Sequence, residues 1–425
     1  MKIAIVGGGI SGNVVARELS RDHEIVLFEA NDYLGGHTHT HRVEIEGREI
    51  AVDTGFIVFN DWTYPNFNAL IDELGVASQP SDMSFSVCCE KSGLQYNGTS
   101  LNGLFCQRRN LARPRFYRML ADILRFNRHA PALLEAGSEE VPLGEFLSAG
   151  KYGREVIDHY IVPMGAAIWS TQPAQMLDFP ARFFVRFLNN HGLLNINRRP
   201  CWRVIKGGSR TYLDAMSKHY RDSVLLDSSV ASVNRLPGQV QVRTENGDAR
   251  MFDHVFLACH SDQALAMLDN PSDAERDVLG ALPYQRNEAV LHTDVRLMPA
   301  NRRAWAAWNY LVPNSPSDSV GVTYNMNILQ RLDCSEELLV TLNHTDAIDP
   351  SRIIRTMIYD HPLFTVGGTR AQARYREING VNNTWYCGAY WRNGFHEDGV
   401  VSAMTAVDQF RKRHETEKLH LRRAG

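Results

Sequence analysis

The chain lacks a hydrophobic run near the ~20 residues needed to span a bilayer; its best candidate, Tyr160 to Trp169, is too short. It also lacks a basic surplus. With 45 Lys and Arg against 48 Asp and Glu, the formal net charge is -3, which argues against a nucleic-acid partner. Its seven cysteines, Cys88, Cys89, Cys106, Cys201, Cys259, Cys334 and Cys387, form neither a C-x-x-C pair nor a zinc spacing. They read as free thiols in a reducing, cytoplasmic compartment, and no bound metal is expected. Low-complexity tracts and short repeats are absent, and with a first strand at Ile3 no cleaved leader is expected. What remains is an ordinary globular composition, 44% hydrophobic and 22% charged over 425 residues. A single core rarely grows past roughly 250–300 residues, so two domains are expected.

The first thirty residues carry the clearest local signal. Ile3-Ala4-Ile5-Val6 is a wholly apolar, β-branched run of the kind buried on both faces of a parallel sheet. A glycine turn follows, then a helical stretch from Val14 to Leu19 and a second buried strand, Ile25 to Phe28. This is a βαβ unit. The turn, Gly7-Gly8-Gly9-Ile10-Ser11-Gly12, contains G-x-G-x-x-G. Its first glycine permits the tight turn, its second lets a pyrophosphate reach the backbone, and its third lets helix and strand pack closely. The helix N-terminus offers the phosphates unpaired N–H groups and a positive dipole end. Glu29, followed by Ala30, closes the second strand where a ribose diol needs an acceptor. A carboxylate there would repel a 2′-phosphate.

Beyond this unit the chain resembles the flavin-containing amine oxidase and phytoene desaturase superfamily. Leu34-Gly35-Gly36-His37-Thr38 is similar to that superfamily's second glycine motif, with His37 where arginine is commonest. Val52-Asp53-Thr54-Gly55-Phe56, followed by Ile57, resembles its D-x-G segment along the flavin. Lys206-Gly207-Gly208-Ser209 with Leu213 looks like its G-G-x-x-x-L turn, and Val230 falls where a backbone amide and carbonyl meet the adenine. Cys387-Gly388-Ala389-Tyr390, then Gly394-Phe395-His396-Glu397-Asp398-Gly399-Val400, resembles the C-terminal flavin motif. The resemblance implies FAD, bound by Gly7, Gly9, Ile10, Ser11, Gly12, Glu29, Ala30, Gly35, Gly36, His37, Thr38, Gly55, Phe56, Ile57, Val230, Gly388, Gly399 and Val400. The Leu-Gly-Gly-His and Asp-Thr-Gly-Phe variants look like the branch found beside cyclopropane-fatty-acyl synthases.

One departure bears on chemistry. Many amine oxidases of the superfamily hold a water on a strand lysine facing the flavin. The corresponding strand, Asn287 to Asp294, has no lysine. His292 on that strand and His396 beside the presumed flavin edge are the candidate proton acceptors, since imidazole titrates near neutrality. Tyr390, Trp391 and Phe395 are candidates to wall a substrate pocket. From Leu104 to Arg128 the pattern is helical and basic: Arg108, Arg109, Arg113, Arg115, Arg118, Arg125 and Arg128 interleave with apolar residues, and Asp122 is the only acid among them. That composition suits a solvated face or peripheral contact with an anionic membrane.

The expected architecture is α/β: a discontinuous Rossmann-type FAD-binding domain (1–75, 200–265 and 375–415) with an inserted α+β substrate domain (76–199 and 266–374), then a basic tail, 416–425. A helix is expected over 67–76, strands over 84–97, a cap-like connection over Pro142 to Gly150, and a long helix from Val400. The expected function is FAD-dependent dehydrogenation or desaturation of a small hydrophobic or lipid substrate such as an acyl chain or polyene. An amine or amino-acid oxidase releasing peroxide, a flavin-dependent isomerase and a non-catalytic flavoprotein remain as alternatives.

Overall fold

The structure, a computed structural model, describes residues 1–135, 140–314 and 321–424, with side chains described as far as Thr416; those of 417–425, most of the expected basic tail, lie outside the described residues. Its centre is a five-stranded sheet in the spatial order Val224–Leu225, Glu24–Phe28, Lys2–Val6, His254–Leu257, Thr384–Tyr386, with every pairing parallel. Side chains alternate faces along a strand. Ile3, Ile5, Ile25 and Leu27 therefore enter one core with residues of the helices Ile10–Leu19 and His396–Ala424. Ala4, Val6, Phe28 and Leu257 enter another beneath an antiparallel meander, Val230–Leu236, Gln239–Thr244 and Ala249–Phe252. Both faces are covered, which is why Ile3 to Val6 is apolar at every position. The second core continues past residue 265 through Leu268, Val278, Leu279 and Leu282, because the helices Ser261–Met267 and Asp273–Gly280 pack back onto the sheet.

The other large element is a seven-stranded sheet ordered Ile353–Pro362, Tyr284–His292, Leu339–Leu342, Gly321–Asn325, Trp308–Val312, Phe85–Cys89, Leu94–Asn97. Only Trp308–Val312 and Phe85–Cys89 run parallel, so strands from two distant segments build one sheet. The helices Pro114–His129, Val162–Trp169 and Ala181–Asn190 share its apolar core. Among the described residues, no helix is long and apolar enough to cross a membrane.

Three local expectations change. Pro142 to Gly150 contains a helix, Leu143–Ala149, because Leu143 and Leu147 share one face and both bury it. The helix expected over 67–76 is Pro65–Glu73, opened by a proline at its first position. The C-terminal helix starts at His396 rather than Val400: the Asp398 carboxylate accepts the Phe395 N–H at 2.9 Å, capping it a turn earlier. Glu397 meanwhile accepts from the Asn66 and Phe67 N–H groups at 3.1 and 2.8 Å, capping the neighbouring helix with a charge.

The tightest approach in the sheet–helix unit is at Gly12, where a Cβ would lie 1.9 Å from the Gly7 carbonyl oxygen. The clashing group is the Gly7 carbonyl itself, backbone that cannot swing away. Gly12→Ala is expected to lower stability by about 1–3 kcal/mol or more, read as an earlier urea midpoint; an unchanged midpoint would show that the turn has room.

Candidate active site

The glycine turn is built for close backbone approach. Gly7 has φ +102°, and a Cβ on it would meet the Ala258 carbonyl at 2.9 Å. Gly9 faces open space, and Gly36, φ +57°, lies so near that its Cβ would stand 3.2 Å from the Gly9 Cα. Asn13 ties the turn down: its Nδ2 donates to the Gly8 and Gly9 carbonyls at 2.5 and 2.8 Å, and its Oδ1 accepts from the Tyr220 hydroxyl at 2.9 Å. Ser11 donates to the Gly399 carbonyl at 2.9 Å, and a Cβ on Gly399 would lie 2.7 Å from Ile10 Cγ2. Two helix N-termini, at Ile10 and His396, thus meet beside one open backbone surface. That arrangement favours an anion.

Glu29 is buried at the end of its strand and already oriented. Its carboxylate accepts from Gly8 N–H at 2.7 Å and from the Asn31 backbone and side-chain N–H groups at 2.9 and 2.7 Å. Ala30 beside it is exposed. Val230, buried, begins the meander two residues after Ser228, whose N–H donates to the Glu29 carbonyl at 2.8 Å. Farther along, Gly55 is forced: its Cβ would fall 2.3 Å from the His37 carbonyl, and that carbonyl accepts the Phe56 N–H at 2.6 Å. The segment of Gly55, Phe56 and Ile57 is thereby clamped to the segment of Gly35, Gly36, His37 and Thr38.

The two expected catalytic histidines are both engaged by other groups of the chain. His396 stacks on Phe56 at 3.6 Å, and its Nε2 meets the Tyr212 hydroxyl at 2.6 Å, which in turn meets Thr38 Oγ1 at 2.5 Å. Burial holds its pKa down to about 3, so His396 is a neutral packing element joining three cofactor segments. His292 sits at the far end of Tyr284–His292, fully buried. Its Nδ1 accepts the Asp294 N–H at 3.0 Å and its Nε2 meets Thr341 Oγ1 at 2.7 Å, so both nitrogens are engaged; burial lowers its pKa to about 4. The proposed pocket also divides. Tyr390 and Trp391 lie in the core under the meander, whereas Phe395 stacks on Phe187 at 4.8 Å against the core of the seven-stranded sheet.

Of the histidines that do converge, His37 was expected in the cofactor site from its glycine motif, whereas His260 and His361 were not singled out by pattern. The His37 ring lies 5.4 Å from His361 and 6.4 Å from His260, and burial lowers all three pKa values. A relay fixes His361. The Glu288 N–H donates to Asn343 Oδ1 at 2.8 Å, so Asn343 Nδ2 is the donor to Asn287 Oδ1 at 2.7 Å. Asn287 Nδ2 then donates to the Gln285 carbonyl at 3.1 Å and to His361 Nδ1 at 2.9 Å. The proton of neutral His361 must therefore sit on Nε2. Asn287 stands among Gln285, Arg286 and Glu288 on the polar half of its strand, so nothing local in the sequence marked it.

A dinucleotide fits these residues. The cradle at Gly9 and Gly36 admits backbone contact where a side chain would intrude, and His37 Nε2, on the residue next to Gly36, is buried with no partner among the described residues. Gly8, Glu29 and the two helix ends would hold its phosphates and ribose.

Comparison with known proteins agrees. The model of the family described as flavin containing amine oxidoreductase matches residues 10–301. The chain belongs to that family, and FAD is its cofactor. A Mycobacterium tuberculosis relative whose name assigns it as a flavin-containing monoamine oxidase, AofH, is 26% identical over 256 residues, covering 58% of this chain and 54% of that relative. The match thus spans about half the relative's length. Among solved structures, a conjugated-linoleic-acid-producing fatty acid isomerase from P. acnes aligns over 96% of this chain and 98% of its own, with TM-score 0.70 and 15% identity. Cyclohexylamine oxidase from Brevibacterium oxydans aligns over 97% and 99%, with TM-score 0.70 and 14% identity. At those identities the likeness is one of fold.

Two outcomes follow. Glu29→Ala removes a charged acceptor and should weaken FAD retention by about 1.5–3 kcal/mol; unchanged retention on dialysis would remove Glu29 from the ribose site. Buried histidines contribute to the acid limb of stability, a contribution that Asp53 and Asp398, pushed up to about 6 by burial, oppose. His37, His191, His292, His361 and His396 each have a folded pKa below the ordinary ~6.5, so unfolding takes up protons on them; their contribution is full above ~6.5 and is lost as pH falls toward 4. His292→Gln should flatten that limb by up to about 1.4 kcal/mol per pH unit. A slope equal to the parent's would mean His292 is protonated in the folded chain.

Proposed function

We propose that the chain is an FAD-dependent dehydrogenase of an apolar substrate, an acyl chain or polyene, from which it removes a hydride and a proton to leave a double bond. When bound, FAD supplies the two-electron acceptor. The observation that carries the reading is the aromatic wall leading to Phe395. Trp169 packs on Phe179 at 4.6 Å, Phe183 on Phe364 at 4.7 Å, and Phe187 on both Phe395 and His191. His191, the one titratable ring in this set, is held neutral by burial, with its pKa down to about 4. These rings carry no charge, which favours burial of apolar surface, about 25 cal/mol per Å². The Asp398 carboxylate beside Phe395 is already engaged by the Phe395 N–H and by Arg392, so it is not free to pair with a cationic amine.

The strand position that carries lysine in many amine oxidases supports the same reading. Asn287 stands in that stretch, and its relay presents His361 as a neutral N–H donor. Amine oxidation is the second reading, favoured by the family's description and by the monoamine oxidase relative.

Anaerobic mixing with acyl lipids, polyenes and amines, followed by flavin bleaching, separates the two. Acyl chains or polyenes should bleach the flavin, with affinity rising by up to ~0.8 kcal/mol per buried methylene, and reoxidation should be faster with a quinone or dye than with oxygen. Prompt bleaching by amines followed by fast peroxide release would establish the second reading instead.

A further inference from the structure

The arginine-rich segment takes no part in the site described above, yet its structure is specific. Arg108–Ala112 forms a short helical turn and Pro114–His129 a four-turn helix. One face of the long helix is spent on the core through Phe116, Met119 and Phe126. The opposite face is apolar as well: Tyr117, Ala121 and Leu124, four and three residues apart, lie outward, with Tyr117 47% and Leu124 53% exposed. Leu111, 54% exposed, adjoins them, since the Tyr117 hydroxyl donates to its carbonyl at 3.0 Å, and Phe105 lies 6.1 Å from the Tyr117 ring. Leu101 adds a side chain 77% exposed.

Positive charge surrounds this cluster. Of the seven arginines, Arg125 pairs with Asp122 at 2.9 Å and Arg115 approaches Glu155 at 3.9 Å. Arg108, Arg109 and Arg113 bond only to carbonyl or amide oxygens. No ion pair to Arg108, Arg109, Arg113, Arg118 or Arg128 is formed among the described residues. Arginines without acids, around leucines and a tyrosine without a cover, complement a surface that is anionic outside and apolar just beneath it.

We infer that this face is a docking surface for the anionic phospholipid headgroups of a bilayer, with Leu101, Leu111, Tyr117 and Leu124 entering the interface between them. A nucleic acid would complement the arginines but leave the leucines in water. A bilayer covers both. The inference stands apart from the substrate reading, since an amine oxidase could dock in the same way.

The test is co-sedimentation of the FAD-loaded protein with phosphatidylglycerol-rich vesicles and with phosphatidylcholine vesicles, with duplex DNA as competitor. Binding is expected to the anionic vesicles alone, to weaken as salt rises because exposed charges are screened beyond about 8–10 Å, and to resist DNA. The triple variant Arg108→Gln, Arg115→Gln, Arg118→Gln should bind about a hundredfold more weakly, at about fivefold per basic residue. The double variant Leu111→Ser, Leu124→Ser should lose about tenfold or more. All these positions are exposed, so both variants should keep their flavin, which separates a docking defect from misfolding. Equal binding to both vesicle types, none to either, full displacement by DNA, or an effect of the arginine variant without one of the leucine variant would overturn the inference.

Discussion

Where the helix at Ile10 and the helix at His396 begin, side chains of the first meet the backbone of the second, and the rest of the cofactor site is arranged around that contact. Ser11 donates to the Gly399 carbonyl, and the absence of a Cβ on Gly399 lets Ile10 lie against it. Two positive helix ends in contact are unfavourable without an anion between or beside them. The fold holds them there through packing: Val14, Val15, Leu19, Val400, Ala403 and Val407 share one core with the sheet. A pyrophosphate relieves the repulsion, so cofactor binding and fold stability are coupled. The same helix start serves twice more, since Glu397 caps a neighbouring helix and His396 stacks on the clamped Phe56 segment.

How much was legible in the chain depends on how far each determinant reaches along it. The βαβ unit was readable because its rules are local: an all-apolar strand, glycines at fixed spacing, an acid closing the next strand. The later glycine segments were readable by resemblance, and the structure shows why each is glycine, through carbonyl contacts at Gly35 and Gly55 that a Cβ would violate. The start of the C-terminal helix was missed by four residues because the cap is Asp398, which looked like part of a loop.

The chemistry-bearing residues were harder. His292 and His396 are titratable in isolation, and sequence says nothing of the partners that occupy them; Thr341 and Tyr212 are distant along the chain. Asn13 and Tyr220, which hold the phosphate turn in shape, lie more than two hundred residues apart. The relay through Asn343, Asn287 and His361 joins two strands to the residue just past the end of a third. Each is a long-range hydrogen bond between side chains whose neighbours give no local sign of it. Aromatic residues misled for a related reason: Tyr390 and Trp391 sit close to Phe395 along the chain, but a chain turn sends them into a different core.

The cofactor site requires a dinucleotide at the meeting point of the two helices. Releasing the bound flavin from purified protein and identifying it by chromatography tests that directly. The account predicts stoichiometric FAD, retained through purification. A protein that is colourless and takes up no added FAD, or that carries FMN in its place, would contradict it, since FMN lacks the adenosine and pyrophosphate that Glu29 and the glycine turn are arranged to hold.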